Sequence, residues 1–244
     1  YVVASEQNYH FKILFHILKK LGFEWSDKLY HLSYGLVNLP SGRMKSREGT
    51  IVDADDLIDS LHSDALAAIK ERGRDEEVGN ADEVAEKVAL AALHYYLLQA
   101  TPIKDMLFNP QESLSFNGNT GPYLQYMGAR ITSILRKAKE SGIKPDCSKE
   151  AVSRLVAAEE WELICSLGNF PDMILRAAEN LDPSIITAYL YDVCKLFSKF
   201  YQQCSIVNAE DSQLASARLY LAECTLVVLK RAMNLVLVPF LEKM

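Results

Sequence analysis

No apolar stretch in these 244 residues approaches the roughly 20 needed to cross a bilayer as a helix. The sequence therefore reads as a protein without membrane-spanning helices. Cysteine is sparse and shows no pairing pattern. Cys147, Cys165, Cys194, Cys204 and Cys224 are odd in number, and no two stand in a C-x-x-C spacing. Buried thiols in a reducing, cytoplasmic setting are the expectation. Histidine disappears after His94, leaving the second half without an imidazole for acid–base chemistry and without a Cys/His zinc set. No metal centre is expected. Beyond Gly142 the only glycine is Gly168, so little interrupts helical periodicity there. An excess of positive charge is also lacking, since 26 Lys and Arg face 32 Asp and Glu for a net charge of −6. Residues 118–244 carry fourteen of each sign, so neither half shows a basic footprint for nucleic acid. DNA is not an expected partner. Tyr1 follows neither a Met nor a basic stretch leading into an apolar one, so no secretory signal is read. Tyr1–Ala4 reads as a strand entered in mid-fold, with an expectation that further chain precedes it.

Apolar residues at 49% and charged residues at 24% are ordinary for a folded chain and exclude general disorder. The length allows one large domain or two small ones. Residues 1–52 read as strand, helix, strand and loop. Phe11, Leu14, Phe15, Leu18 and Leu21 recur at helical spacing up to Gly22, and Lys28–Leu39 reads as one extended segment. Strands separated by a helix point to a parallel β-α-β unit, which two strands alone do not complete. Asp53 and Asp55 open a helical region carrying Leu57, Ile58 and Leu61, and the alanine-rich segment Ala81–Ala100 is a second helix. Residues 101–121, with Pro102, Pro110, Gly118 and Gly121, read as a long irregular connection. The remainder reads as a helical bundle.

Three constellations can carry chemistry. Gly42-Arg-Met-Lys-Ser-Arg-Glu-Gly49 places Arg43, Lys45 and Arg47 on alternate positions of a glycine-bounded loop. Such a loop can bring cations to phosphate oxygens as charge develops; a solvated basic turn is the plain alternative. Asn117-Gly-Asn-Thr-Gly-Pro-Tyr-Leu-Gln-Tyr126 predicts a helix capped by Thr120, with Pro122 in its first turn. Tyr123, Met127 and Arg130 fall near one face, with Tyr126 beside them. That is either a packing stripe or a surface where tyrosine stacks on a base and arginine meets phosphate. Gln7 and His10 follow a strand end, where open α/β folds bind ligands; a polar helix entry is the alternative.

In order and wording these segments resemble the C-terminal portion of arginyl-tRNA synthetases, which are class I aminoacyl-tRNA synthetases. Tyr1 to Phe11 resembles that family's late Rossmann strand, and His31-Leu-Ser-Tyr-Gly-Leu-Val37 the segment leading to its signature loop. Gly42–Gly49 resembles the loop itself, and Gly118–Tyr126 is the most specific match. Tyr189–Asp192, Phe200-Tyr201 and Glu242–Met244 resemble the anticodon-binding helical domain. The resemblance implies a mainly α chain: a partial Rossmann β-α-β remnant over residues 1–108, then an all-α anticodon-binding bundle over 109–244.

It implies that Gln7 helps bind arginine, and that His31, Tyr34, Gly35, Leu36 and Val37 lie near the adenosine of ATP. Met44, Lys45, Ser46 and Arg47 become the loop acting on the pyrophosphate side of the transition state. Tyr201 and Met244 match positions near the anticodon, and with them the Tyr123, Tyr126 and Arg130 surface is read as a tRNA contact. On a helix, Tyr201 can face solvent as a stacking platform while Phe200 faces the core. Gly128 stands where relatives often have His or an aromatic, and Ser205 where some place a second aromatic. The implied substrates are L-arginine, its tRNA, and ATP with Mg2+, with no tightly bound cofactor. The family's other signature, H-I-G-H, occurs nowhere in the sequence, so the chain is expected to be inactive alone. The alternative is a non-catalytic helical module binding RNA or protein.

Overall fold

The computed structural model describes residues 1–40, 53–71, 79–209 and 211–244. The first unit is β1 (Val2–Ala4), a single 3-10 turn at Ser5–Gln7, α1 (Asn8–Lys20) and β2 (Leu32–Tyr34). β1 and β2 are parallel, with Val2 opposite Leu32 and Ala4 opposite Tyr34, which makes the expected β-α-β unit. Rings hold it together: Phe11 lies 5.1 Å from Tyr1 and 4.4 Å from His31. Gly22, at φ +81°, adopts the left-handed conformation that ends α1 where the glycine was read as its stop.

The extended segment expected over Lys28–Leu39 is broken instead. Lys28 closes a 3-10 turn begun at Glu24, β2 follows, and β3 (Val37–Asn38) leaves for a second sheet. There it pairs in parallel with β4 (Met106–Leu107), so residues 101–121 are not wholly irregular. A two-residue ladder has no alternation to betray it in sequence. It is held by neighbouring groups. The Gly35 N–H donates to the Pro102 carbonyl at 2.7 Å and the Leu36 N–H to Asp105 Oδ1 at 2.7 Å. A Cβ on Gly35 would sit 2.1 Å from the Lys104 carbonyl oxygen, so only glycine fits this crossing.

α2 (Ala54–Glu71) and α3 (Ala81–Leu98) pack together, joining Leu61 to Ala89, Leu93 and Phe108 in a small core. Asn80 caps α3 by accepting the Glu83 N–H. After a short helix, α4 (Pro110–Ser113), comes the bundle: α5 (Gly121–Glu140), α6 (Lys149–Val152), α7 (Ala158–Gly168), α8 (Phe170–Asn180), α9 (Ser184–Gln203) and α10 (Ser212–Leu235). Thr120 caps α5 as read, its hydroxyl accepting the Tyr123 N–H at 3.2 Å, and Pro122 occupies the first turn. Tyr95, Leu124, Met127, Leu163, Phe197 and Phe200 are fully buried in the main core. The mainly α architecture is as the sequence implied.

One polar link inside the bundle joins three segments. Glu160, wholly buried, accepts from Arg218 Nε at 2.6 Å through one oxygen and from the Ala157 N–H at 2.8 Å through the other. Arg218 also donates to the Ser205 carbonyl at 2.7 Å. α7, α10 and the turn after α9 are thereby fixed by one carboxylate. Breaking a buried pair leaves the surviving charge unpaired, so Glu160→Ala is expected to lower unfolding stability by about 3–5 kcal/mol. Urea denaturation followed by circular dichroism measures it. A loss under about 1 kcal/mol would place the pair among weak surface bridges.

Candidate nucleic-acid interface

α5 presents Tyr126, Arg130, Ser133 and Lys137 along one side, at the spacing that puts residues on a single helix face. With Arg136 and the tail residues Lys243 and Met244 they line a groove of about 850 Å³. The tail reaches this place through a series of specific contacts. After α10, the Val238 N–H returns to the Met233 carbonyl while Leu237 takes a left-handed φ of +55°. His94 Nδ1 lies 2.6 Å from the Leu237 carbonyl oxygen. Gln125 Nε2 donates both to the Lys87 carbonyl (2.9 Å) and to the Pro239 carbonyl (2.8 Å). Phe240 covers Gly128, where a Cβ would fall 2.4 Å from its ring, so a larger residue there would displace the ring. Leu241 and Met244 finish on a cluster of Ala65, Val84, Ala85 and Val88 from α2 and α3.

Tyr201 joins the same surface. Phe200 is fully buried, while Tyr201 is half-buried, with the Phe197 ring nearly parallel to it at 6.3 Å and the Arg130 guanidinium 4.9 Å over its centroid. Phe200 is the core residue read from sequence, whereas Tyr201 does not simply face solvent: it packs against the main core and Arg130 lies over its ring. Tyr123 is placed elsewhere. It packs against Tyr191 at 5.9 Å and lines a separate cleft of about 940 Å³ with Arg176, Asp192, Lys195 and Lys199. Burial pushes its phenol up to about 12, keeping it a hydrogen-bond donor at neutral pH. Met127 points into the core. The structure thus brings Tyr126, Arg130 and Met244 to one groove, joins Tyr201 to it through Arg130, and sets Tyr123 in the separate cleft.

Composition concealed the charge pattern. α5 holds four basic residues to one acidic, whereas α7 and α8 together hold five acidic to one basic. The neutral half therefore carries a basic groove that the charge balance of the half does not reveal. Arg136, Lys137 and Lys243 were not singled out from sequence, although the spacing from Tyr126 and Arg130 was available to find Lys137.

At the other end of the chain, Gln7 is exposed at the head of α1, just after β1. Tyr34, paired with Ala4, ends β2 on the same edge, which is the carboxyl edge where parallel sheets bind ligands. His31 Nε2 lies 2.9 Å from the Val3 carbonyl oxygen, tying its ring to β1. Gly35 is buried, and Leu36 and Val37 carry the chain between the two sheets. Met44, Lys45, Ser46 and Arg47 lie outside the described residues. Two thiols depart from expectation: Cys147 and Cys165 are exposed, whereas Cys194 and Cys204 are buried. Among the described residues, no three His, Cys, Asp or Glu side chains converge as metal ligands, and no helix is long and apolar enough to cross a membrane.

Two family models match. Residues 1–110 match the catalytic domain of class I tRNA synthetases (R), and residues 124–244 the DALR anticodon binding domain. The whole chain is 60% identical to an arginine–tRNA ligase of Treponema denticola and 54% identical to that of Treponema pallidum, covering 42% of each. It spans about two fifths of the length of these relatives. Among solved structures, an arginyl-tRNA synthetase of Thermus thermophilus superposes over the full chain with a TM-score of 0.85 at 31% identity, using 40% of that protein. One from Plasmodium falciparum gives 0.79 at 26% identity, using 41% of it.

The neighbouring residues at 200 and 201 are expected to separate cleanly in stability. Phe200→Ala removes a fully buried ring and should lower unfolding free energy by about 3–5 kcal/mol. Tyr201→Ala, at the half-buried rim, should lower it by less than half as much. Paired chemical denaturation curves decide this, and equal losses would make Tyr201 a core residue.

Proposed function

Because the chain belongs to the arginyl-tRNA synthetase family, we propose that it supplies the late catalytic domain and the anticodon-binding domain of an enzyme that joins L-arginine to its tRNA. In that reaction the arginine carboxylate attacks the α-phosphate of ATP, pyrophosphate leaves, and the arginyl group passes from the adenylate to the terminal ribose of the tRNA. Magnesium accompanies the ATP, and the cytoplasm is the setting. The family's catalytic match over residues 1–110 favours this reading over a free-standing helical module.

The reading rests above all on the groove in which Tyr126, Arg130 and Met244 converge and Arg130 lies over Tyr201. Sequence-specific RNA binding works by splaying bases out of the stack onto aromatic rings and reading their edges. Tyr126 is 42% exposed and offers a free ring. Tyr201 offers a second ring once the Arg130 guanidinium turns aside to a phosphate. Met244 closes the groove with a flexible apolar side chain. Tyr123 extends the contact toward the neighbouring cleft. In the catalytic portion, Gln7 meets arginine and His31 through Val37 border the adenosine. Met44, Lys45, Ser46 and Arg47 steady the pyrophosphate as it leaves, and a cation or hydroxyl preorganised at that point stabilises the transition state more than the ground state.

Two measurements test these roles. Tyr201→Ala should weaken binding of the chain to an arginine-accepting tRNA by roughly 5- to 150-fold, the loss of about 1–3 kcal/mol of stacking on one ring. Unchanged affinity would remove Tyr201 from the interface. In a chain extended to the full length of the relatives, Lys45→Ala or Arg47→Ala should slow arginine activation about a hundredfold, near 3 kcal/mol, with tRNA affinity nearly constant. Rates within about threefold of the unaltered enzyme would make the loop a solvated basic turn.

A further inference from the structure

Resting on the reading of the groove as an RNA surface, we propose that Arg136, Lys137 and Lys243 form a phosphate track beside the aromatic contacts. They hold the backbone of the RNA strand whose bases meet Tyr126 and Tyr201, and they do so without regard to base sequence. The track begins at Arg130. Lys137 lies two turns further along α5, about 10 Å by helical rise, with Arg136 next to it. Lys243 stands among the tail residues that line the same groove, whose remaining lining from α5 is small or polar, Ala129, Thr132 and Ser133.

Among the described residues, cations of the bundle divide into those held by a carboxylate and those that are not. What sets this groove apart is that four of the second kind, Arg130 among them, line one concavity. Arg154, Lys195, Lys199, Arg218 and Lys230 each have a carboxylate within 4.0 Å. Among the described residues, Arg136, Lys137 and Lys243 form no such pair. The one acidic side chain among the described residues lining the groove is Glu242, and Lys230 stands 3.8 Å from it. Like charges gathered on one groove repel one another unless an anion is present. A polyanion neutralises them and releases its own condensed counterions as it binds. The density of charge fits a strand of phosphates better than a single carboxylate ligand.

Phosphate contacts position a nucleic acid, whereas base contacts specify it. The two roles separate experimentally. Binding of the chain is measured by fluorescence anisotropy with a transcript of an arginine-accepting tRNA and with one of another acceptor identity, between about 50 and 200 mM salt. Arg136→Ala, Lys137→Ala and Lys243→Ala should each weaken binding of both RNAs by the same factor, about fivefold near 0.1 M salt. Each should also reduce the slope of log affinity against log salt by about 0.7. Lys149→Ala, an exposed cation on α6, should leave the slope unchanged. An equal reduction for Lys149→Ala would overturn the track in favour of diffuse charge. If the unaltered chain discriminates between the RNAs while all three groove variants keep its salt slope, the track is wrong and the RNA reading stands. If the unaltered chain binds neither RNA, both fail.

Discussion

The arrangement depends on how closely α3 and α5 approach each other. A Cβ on Gly121 would lie 2.0 Å from the Ala91 carbonyl oxygen, so the first turn of α5 rests directly on the backbone of α3. Only glycine permits that distance. Everything polar nearby is built around it. Thr120 caps the helix that starts there, Gln125 one turn later donates to the Lys87 carbonyl, and the Tyr95 hydroxyl lies 2.9 Å from the Thr187 carbonyl of α9. Burial pushes the Tyr95 phenol far up, so it remains a donor at neutral pH. A buried donor of this kind left unpaired would cost about 1–3 kcal/mol, which is why the Gln125 amide and the Tyr95 hydroxyl each reach a backbone carbonyl. The glycine-rich string before Tyr126 is therefore structural first. It seats the helix whose far side carries the groove.

That seating explains how an apparently neutral half presents a basic groove. Fixing α5 against α3 on one side leaves its Arg130, Arg136 and Lys137 side toward the tail, while the acidic residues of α7 and α8 lie on other helices. Net charge sums over all directions and cannot report such a division. The local ratio of four basic to one acidic residue over α5 was legible in the sequence, but only once the helix limits were known.

Other features were legible to different degrees for physical reasons. Long elements with strong periodicity or clear caps, such as the Thr120 start and the alanine-rich α3, follow from local chemistry and were read correctly. The β3–β4 pairing was not, because two residues show no alternation and its determinants, Asp105 and the Lys104 carbonyl, lie almost 70 residues from Gly35. The exposure of Cys147 and Cys165 was missed because cysteine is apolar enough for either environment. The deeper burial of Phe200 than of Tyr201 was readable, since adjacent helical residues point about 100° apart. The Arg130 guanidinium over the Tyr201 ring was not, because it joins two helices 71 residues apart in sequence.

The tail links the two segments of the chain to the groove. Its Pro239 carbonyl is bound by Gln125 from α5, its Leu237 carbonyl lies against His94 from α3, and Leu241 is buried between α2 and α3. Met244 and Lys243 thus stand at the groove at the end of seven residues that helices of both family segments hold. Leu237, a non-glycine residue in the left-handed region, is strained by about 1 kcal/mol or more, and surrounding contacts must over-determine it. A flexible tail would lose ordering entropy each time RNA bound, whereas one already fixed by these contacts does not. The groove is preorganised by the junction between the two segments. Any change that separates α3 from α5 must therefore alter the groove as well, even when every residue lining it is intact.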